Sequence, residues 1–391
     1  MVARTSPGFI LLLLAVFAAP AQLPPSSALS AQDQRLFQAE VARIEKLMTT
    51  TADKAAVTYQ MARTWAAAKQ WTETIDWLRK VVVFNAGLDP SRDTIFAALR
   101  GTREFQAILA AARASTPAVS QSSVAFKLKQ GDLVPESMAF DPARERFYFG
   151  SMRKGQVIEC TTTGNCRQFV SGLGTVLGMK VNGSSLWLLN NENNASYLMR
   201  YQLASSRLVN KFSVSGPGHN FNDLVFSPGG DVYITDTRAT AVWRLAPKGV
   251  SLTRLPQRFD FANGIAISPQ GRLLYVSTFS DGITVLDLKT GRTTPISRPA
   301  DLCLASIDGL YFHERSLIAI QNGSMNPRVI RLVLSRDLRA IEKYDILERR
   351  NPLFDGVTTG VIANGNFFYM ANIQDEKKSG FVPISVLKIR L

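Results

Sequence analysis

Residues 221–237, FNDLVFSPGGDVYITDT, decide the fold. Polar Asn222 and Asp223 open the stretch, and Leu224-Val225-Phe226 is a short apolar run suited to a strand. Ser227-Pro228-Gly229-Gly230-Asp231 is turn chemistry: proline fixes one backbone torsion, and glycine takes conformations closed to other residues. Val232-Tyr233-Ile234 then returns as a second β-run. The unit recurs five more times, as PESMAFDPARERFYFGS (135–151), VLGMKVNGSSLWLLNN (176–191), ANGIAISPQGRLLYVST (262–278), IDGLYFHERSLIAIQN (307–322) and TTGVIANGNFFYMAN (358–372). The second residues are Glu136, Leu177, Asn222, Asn263, Asp308 and Thr359, spaced by 41, 45, 41, 45 and 51 positions. A period of about 45 residues with four short strands per unit is the pattern of propeller blades. Six units predict an all-β six-bladed β-propeller. A parallel sheet would need helical crossovers, and residues 124–391 contain no amphipathic helix pattern. Val124–Lys129 and Ser385–Leu391 are both strand-like, so pairing the two ends of this region in one blade would close the ring.

Working outward from the repeats, the character of the chain changes. Residues 35–114 carry three- and four-residue apolar spacing, as in YQMARTWAAAKQWTETIDWLRKVV, and predict a small α-helical domain. Two of its helices should join near Lys69-Gln70, and Leu88-Asp89-Pro90 should end the second. About 60 residues of this region loosely resemble tetratricopeptide-type repeats, which implies a docking or capping surface for a protein partner rather than a catalytic unit. Residues 115–123, STPAVSQSS, read as a linker, and residues 22–34, rich in Pro, Ser, Gln and Ala, as a flexible spacer. Residues 1–21 read as a secretory signal peptide: Arg4 is the only charge, Phe9–Ala19 is apolar, and Ala19-Pro20-Ala21 forms an A-x-A cleavage site. Eleven apolar residues are too few to cross a bilayer core, which needs roughly 20. No transmembrane segment is expected in the mature chain, and the expected location is secreted or periplasmic.

Of the 391 residues, 45 are Lys or Arg and 31 are Asp or Glu, a formal charge of +14. Basicity alone suggests nucleic acid, but the cations are scattered, and neither zinc-finger spacing nor an RNA-binding aromatic motif occurs. No nucleic-acid partner is expected. Three cysteines cannot build a disulfide framework. Cys160 and Cys166 bracket ECTTTGNC, a polar hairpin tip, and in an oxidising compartment they should form a disulfide. Cys303 is left over and reads as a small buried apolar residue.

Equivalent positions in successive blades surround the same axis, so Glu136, Leu177, Asn222, Asn263, Asp308 and Thr359 should meet at one mouth of the central channel. Two carboxylates and two carboxamides in one ring make a hard-oxygen cage suited to Ca2+, Mg2+ or Mn2+. The competing reading is that these side chains simply hydrogen-bond the backbone around a water-filled channel. With only His219 and His313, the chain has neither a three-histidine zinc site nor an HExxH helix, and it has no G-x-S-x-G elbow. His219 lies three residues before Asn222 and is a candidate for the same mouth; His313 reads as a turn residue.

The PE of VPESMAF, the FND of FNDLVF, the NG of ANGIAIS and the DG of IDGLYF fall in the order and blade spacing of the gluconolactonase, regucalcin and luciferin-regenerating-enzyme superfamily, which residues 124–391 resemble. The resemblance implies one divalent cation, Ca2+ before Mg2+, Mn2+ or Zn2+, held by Glu136, Asn263 and Asp308. It also implies substrate contact at Asn222 and a general-base role for Asp308. The chain departs from the family at Asn220, where arginine is common, and at Leu224, where glycine is usual. The expected activity is metal-dependent hydrolysis of a small-molecule lactone or related ester, with His219 as a further substrate-binding candidate. The alternative is a non-catalytic scaffold in which propeller and helices are both interaction surfaces.

Overall fold

The computed structural model describes residues 22–51, 53–84, 86–278, 282–322, 327–373 and 381–391; the expected signal peptide lies outside the described residues. Six antiparallel sheets form the six-bladed propeller, with inner strands Pro135–Asp141, Thr175–Asn182, Phe221–Phe226, Ile265–Ile267, Ile307–His313 and Gly360–Ala363. The last blade closes the ring: Ser123–Leu128 pairs as its outermost strand with Ile384–Arg390, in the register Val124 to Leu387 and Leu128 to Ile384. The seam is thus sealed by backbone hydrogen bonds between segments far apart in sequence.

Both faces of each blade are apolar because each packs on a neighbour. Every blade boundary has its own buried cluster. Tyr148 of blade 1 meets Met179 and Leu188 of blade 2; Leu189 of blade 2 meets Phe221 and Leu224 of blade 3. Tyr233 of blade 3 meets Leu274 of blade 4, and Tyr275 of blade 4 meets Leu310 of blade 5. Ile318 of blade 5 meets Phe367 and Tyr369 of blade 6, and Phe126 of blade 6 meets Phe147 and Phe149 of blade 1. The core is therefore a ring of interfaces, which leaves the axis itself free to be polar.

Among the described residues, four α-helices precede the propeller: α1 (Ala31–Thr50), α2 (Lys54–Ala67), α3 (Trp71–Val83) and α4 (Arg103–Ser115). Ser30, Asp53 and Thr102 cap α1, α2 and α4 by accepting first-turn amides. The turn between α2 and α3 falls at Lys69, in the left-handed conformation with φ of 56°. Residues 94–99 form a 3-10 turn rather than an α-helix. Among the described residues, no helix is long and apolar enough to cross a membrane.

Three local outcomes differ from the sequence reading or sharpen it. The first helix begins at Ala31, inside the stretch read as a spacer, because Ser30 and Asp33 supply a capping pair; upstream, Ser27 accepts a bond from Gln70 and Leu23 packs on the helical core. The stretch read as a linker is fastened: Val119 and Ser120 add an edge strand to blade 5, and buried Glu348 accepts the amides of Gln121 and Ser122 at 2.5 and 2.6 Å. Cys160 and Cys166 are directly opposed in their hairpin and joined by a disulfide, with Cα atoms 4.1 Å apart. Cys303 is free and buried, and it belongs to the helical core.

The helical region docks through that core. Cys303 and Ala305, from the loop between blades 4 and 5, pack with Tyr59, Leu78, Phe96 and Phe105. Asp53 reaches across: one carboxylate oxygen caps Ala56, and the other accepts the amide of Leu304 at 2.9 Å and pairs with Arg298 at 3.3 Å. Both charged side chains are almost fully buried. Arg328 and Gln321 bind the carbonyl of Cys303 from beneath, so the docking loop is held from both sides.

Candidate metal centre in the propeller channel

One cavity of about 250 Å3 is lined by all six expected ring positions, Glu136, Leu177, Asn222, Asn263, Asp308 and Thr359. The local reason is a repeated β-bulge. In blade 1, Pro135 pairs with Ser151 and Ser137 with Gly150, so Glu136 is left between the rungs. In blades 2, 3 and 5, the pairs Leu177-Gly178, Asn222-Asp223 and Asp308-Gly309 are skipped in the same way. An extra residue in one strand bends it and re-aims its side chain. Here the bulge turns the first skipped residue toward the axis at the same height in four blades. In blades 4 and 6, Asn263 and Thr359 occupy the same level just ahead of the inner strand, each tied to the second strand by backbone bonds.

Glycines after these residues let the inner strands converge. A Cβ on Gly264 would lie 2.4 Å from the carbonyl oxygen of Asp308, and one on Gly309 would lie 2.9 Å from the carbonyl oxygen of Thr358. The NG and DG steps are therefore close-approach devices in the channel wall, not reverse turns.

The electrostatics are those of carboxylates poorly supplied with water. Glu136 is pushed up to about 8, first by burial and then by the negative charge of Asp308, with the Thr358 hydroxyl pulling the other way. Asp308 is raised to about 6 by burial and by Asp223, against hydrogen bonds from Asn322 and Asn263. Both keep some surface, and that surface opens into the channel cavity. Asn322 donates to Asp308 Oδ2 at 2.5 Å and to the carbonyl of Val357 at 3.1 Å, fixing the carboxylate from behind. Asn222 Nδ2 donates to the Thr237 hydroxyl at 3.0 Å, which in turn donates to the carbonyl of Ala262. Asn263 Oδ1 is buried without a hydrogen-bond partner. A buried, unpartnered carbonyl oxygen beside two carboxylates that resist ionisation fits a hard divalent cation. Among the described residues no group of three His, Cys, Asp or Glu side chains gathers to hold a metal, so carboxamides must complete any donor set.

His219 is not among the cavity-lining residues. Its Nδ1 lies 2.6 Å from Oδ2 of buried Asp236, and its ring meets Trp243 edge-on, which ties it into the wall of blade 3. The residues missed from sequence are Asp223, Lys180, Tyr311 and Asn322. Asp223 lines the cavity and faces Lys180 Nζ at 3.5 Å, while the ammonium lies 5.1 Å from the Tyr311 ring centre. Tyr311 in turn accepts the amide of Gly360 and shares a hydrogen bond with Thr359. The signal for Asp223 was present in FND: two successive polar residues cannot both occupy the apolar face of a regular strand.

Comparison with known proteins bears on the fold and the family resemblance. No curated protein matches the chain. Among solved structures, a luciferin-regenerating enzyme aligns at 12% identity over 68% of this chain and 95% of its own, with a TM-score of 0.50. A PQQ-bound aldose sugar dehydrogenase from Streptomyces coelicolor aligns at 14% over 70% and 99%, also at 0.50. A gluconolactonase from Xanthomonas campestris aligns at 15% over 71% and 98%, at 0.48. At such identities the likeness is one of fold. Residues 134–311, which contain all the bulged site residues, match the family model described as SMP-30/Gluconolactonase/LRE-like region, and the propeller of this chain resembles that superfamily.

Proposed function

We propose that this protein is a divalent-cation-dependent hydrolase of a lactone or related ester, working in a secreted or periplasmic setting. The observation that carries the reading is the convergence of Glu136, Asn222, Asn263 and Asp308 on one cavity, with Asn263 Oδ1 buried and unpartnered. Glu136, Asn263 and Asp308 would hold the ion, Ca2+ in the first instance. When bound, the cation supplies Lewis-acid polarisation of the substrate carbonyl.

The chain's own residues do the rest. Asn222, anchored by Thr237, orients the substrate at the channel mouth. Asp308 accepts a proton from the attacking water as the water oxygen bonds to the acyl carbon. The proton then passes to the ring oxygen as the acyl carbon–oxygen bond breaks, which leaves a hydroxy acid and restores the Asp308 carboxylate. Asp223 adds a further carboxylate to the same cavity, and the Lys180 ammonium 3.5 Å from it partly offsets that charge.

Elemental analysis of purified protein, followed by a lactone and ester panel with and without chelator, tests the reading. Chelator-sensitive turnover is expected. A full complement of cation with no turnover on any lactone or ester would overturn the hydrolase reading and favour the scaffold alternative.

A further inference from the structure

Two further cavities adjoin the channel. Asn263 and Asp308 also line a second cavity, of about 170 Å3, together with Phe261, Ser306, Ile307 and Asn322. Ser306 in turn lines a third, of about 500 Å3, whose opposite wall is the helical region. The mouth therefore shares wall residues with the channel on one side and, through Ser306, with the helical groove on the other. Asp260 of the groove is also the chain neighbour of Phe261 of the mouth.

The groove has a distinct chemistry. Ile44 and Leu47 of α1, Val57 of α2 and Leu88 contribute apolar surface. Its charged wall residues are already engaged: Arg43 with Glu40 at 2.7 Å, Arg63 with Asp93, and Asp260 with Arg258 at 2.7 Å. An ionic ligand would have to displace those partners, whereas an uncharged chain would not. The groove is also held in place over the mouth, because Ala305 belongs to the helical core and Asp53 pins the same loop.

We propose that the helical region is a substrate subsite, and that the substrate is amphipathic: a lactone or ester head in the channel with an uncharged hydrocarbon chain extending past Ser306 into the groove of α1 and α2. The head assignment rests on the hydrolase reading; the chain assignment rests on the shared cavity walls. A cavity of about 500 Å3 lies within the usual range of small-molecule sites, roughly 300–1,000 Å3.

The test uses the full chain loaded with Ca2+ and a homologous series of δ-alkyl lactones of about six to twelve carbons, followed by calorimetric binding and by turnover. Each methylene that enters an apolar site should tighten binding about fourfold until the groove is filled. Leu47→Asp, which puts a charge in the groove, and Ala56→Leu, which fills it without charge, should each flatten the series. A flat wild-type series with turnover of the short lactones would overturn the chain subsite and leave the hydrolase reading standing. A slope that neither substitution alters would place the chain elsewhere and would also overturn it. Binding that climbs with chain length and responds to both substitutions, with no lactone turned over, would sustain the subsite and defeat the hydrolase reading.

Discussion

Gly264 and Asp308 stand where two neighbouring inner strands nearly touch: a Cβ on Gly264 would lie 2.4 Å from the carbonyl oxygen of Asp308 and 2.8 Å from the amide of Leu310. Both neighbours are backbone, so neither can swing aside. Gly264→Ala must push the strand of blade 5 outward and take the Asp308 carboxylate with it. A stability loss of about 1–3 kcal/mol is expected from the forced contact. Cation affinity should fall as well, since the ligand from blade 5 moves relative to Asn263. Urea unfolding and calcium titration check this together; an unchanged midpoint with unchanged affinity would mean that the strands do not approach in this way.

The raised carboxylates make a signed prediction about pH. Without a cation, Glu136 and Asp308 keep protons in the folded chain that the unfolded chain has released. Stability is then fully present below the ordinary carboxylate range, and falls as pH rises from there through about 6 and about 8. Added Ca2+ should remove much of this decline, because a bound cation favours the ionised forms. Denaturation midpoints in chelator across that window, beside those of Glu136→Gln, provide the check. A slope that persists unchanged in the variant would assign the effect to other groups.

Much of the propeller was legible because a propeller repeats. FNDLVF, ANGIAIS and IDGLYF can be superposed by eye, and their offsets place Asn222, Asn263 and Asp308 at one level of the channel. The β-bulges were not legible, since a bulge is defined by its partner strand: only the pairing of Phe221 with Asp236 and Leu224 with Ile234 shows that two residues oppose one. That is why Asp223 was missed although its neighbour was found. The polar stretch 115–123 looked like a free connector because its partner, Glu348, lies more than two hundred residues away. His219 was close to Asn222 in sequence, but Asp236 binds its ring into the blade wall.

The joint between helices and propeller depends on a buried charge. Asp53 caps α2, accepts the Leu304 amide and pairs with Arg298, all away from solvent. Asp53→Ala should cost about 3–5 kcal/mol, because it leaves Arg298 buried without its partner and removes a helix cap. Replacing both residues with apolar ones of similar volume should cost less than replacing Asp53 alone. Unfolding followed by tryptophan fluorescence suits the test, since Trp65, Trp71 and Trp77 all lie in the helical region. An Asp53→Ala loss below about 1 kcal/mol would show that the apolar contacts at Cys303 and Ala305 hold the joint without it.

The mechanism makes the most exposed prediction. Asp308→Asn keeps a coordinating oxygen but loses the proton acceptor, so turnover should fall by about 10²–10⁴-fold while cation binding weakens less. Asn263→Ala should do the reverse: it removes a donor whose oxygen has no other partner in the structure, and excess Ca2+ should partly restore turnover by mass action. Asn322→Ala separates the two effects further. It touches Asp308 from behind without lying in the donor set, and loss of such an orienting partner typically costs about 10–100-fold in affinity or activity. Its turnover should respond to pH differently from that of the unaltered protein, because the Asn322 hydrogen bond holds the Asp308 carboxyl down against burial. Removing the bond raises the carboxyl, and the rising limb of the pH–rate profile should move to higher pH. A profile that stays in place while turnover falls would show that Asn322 only supports the wall, and that the group titrating in the profile is not Asp308.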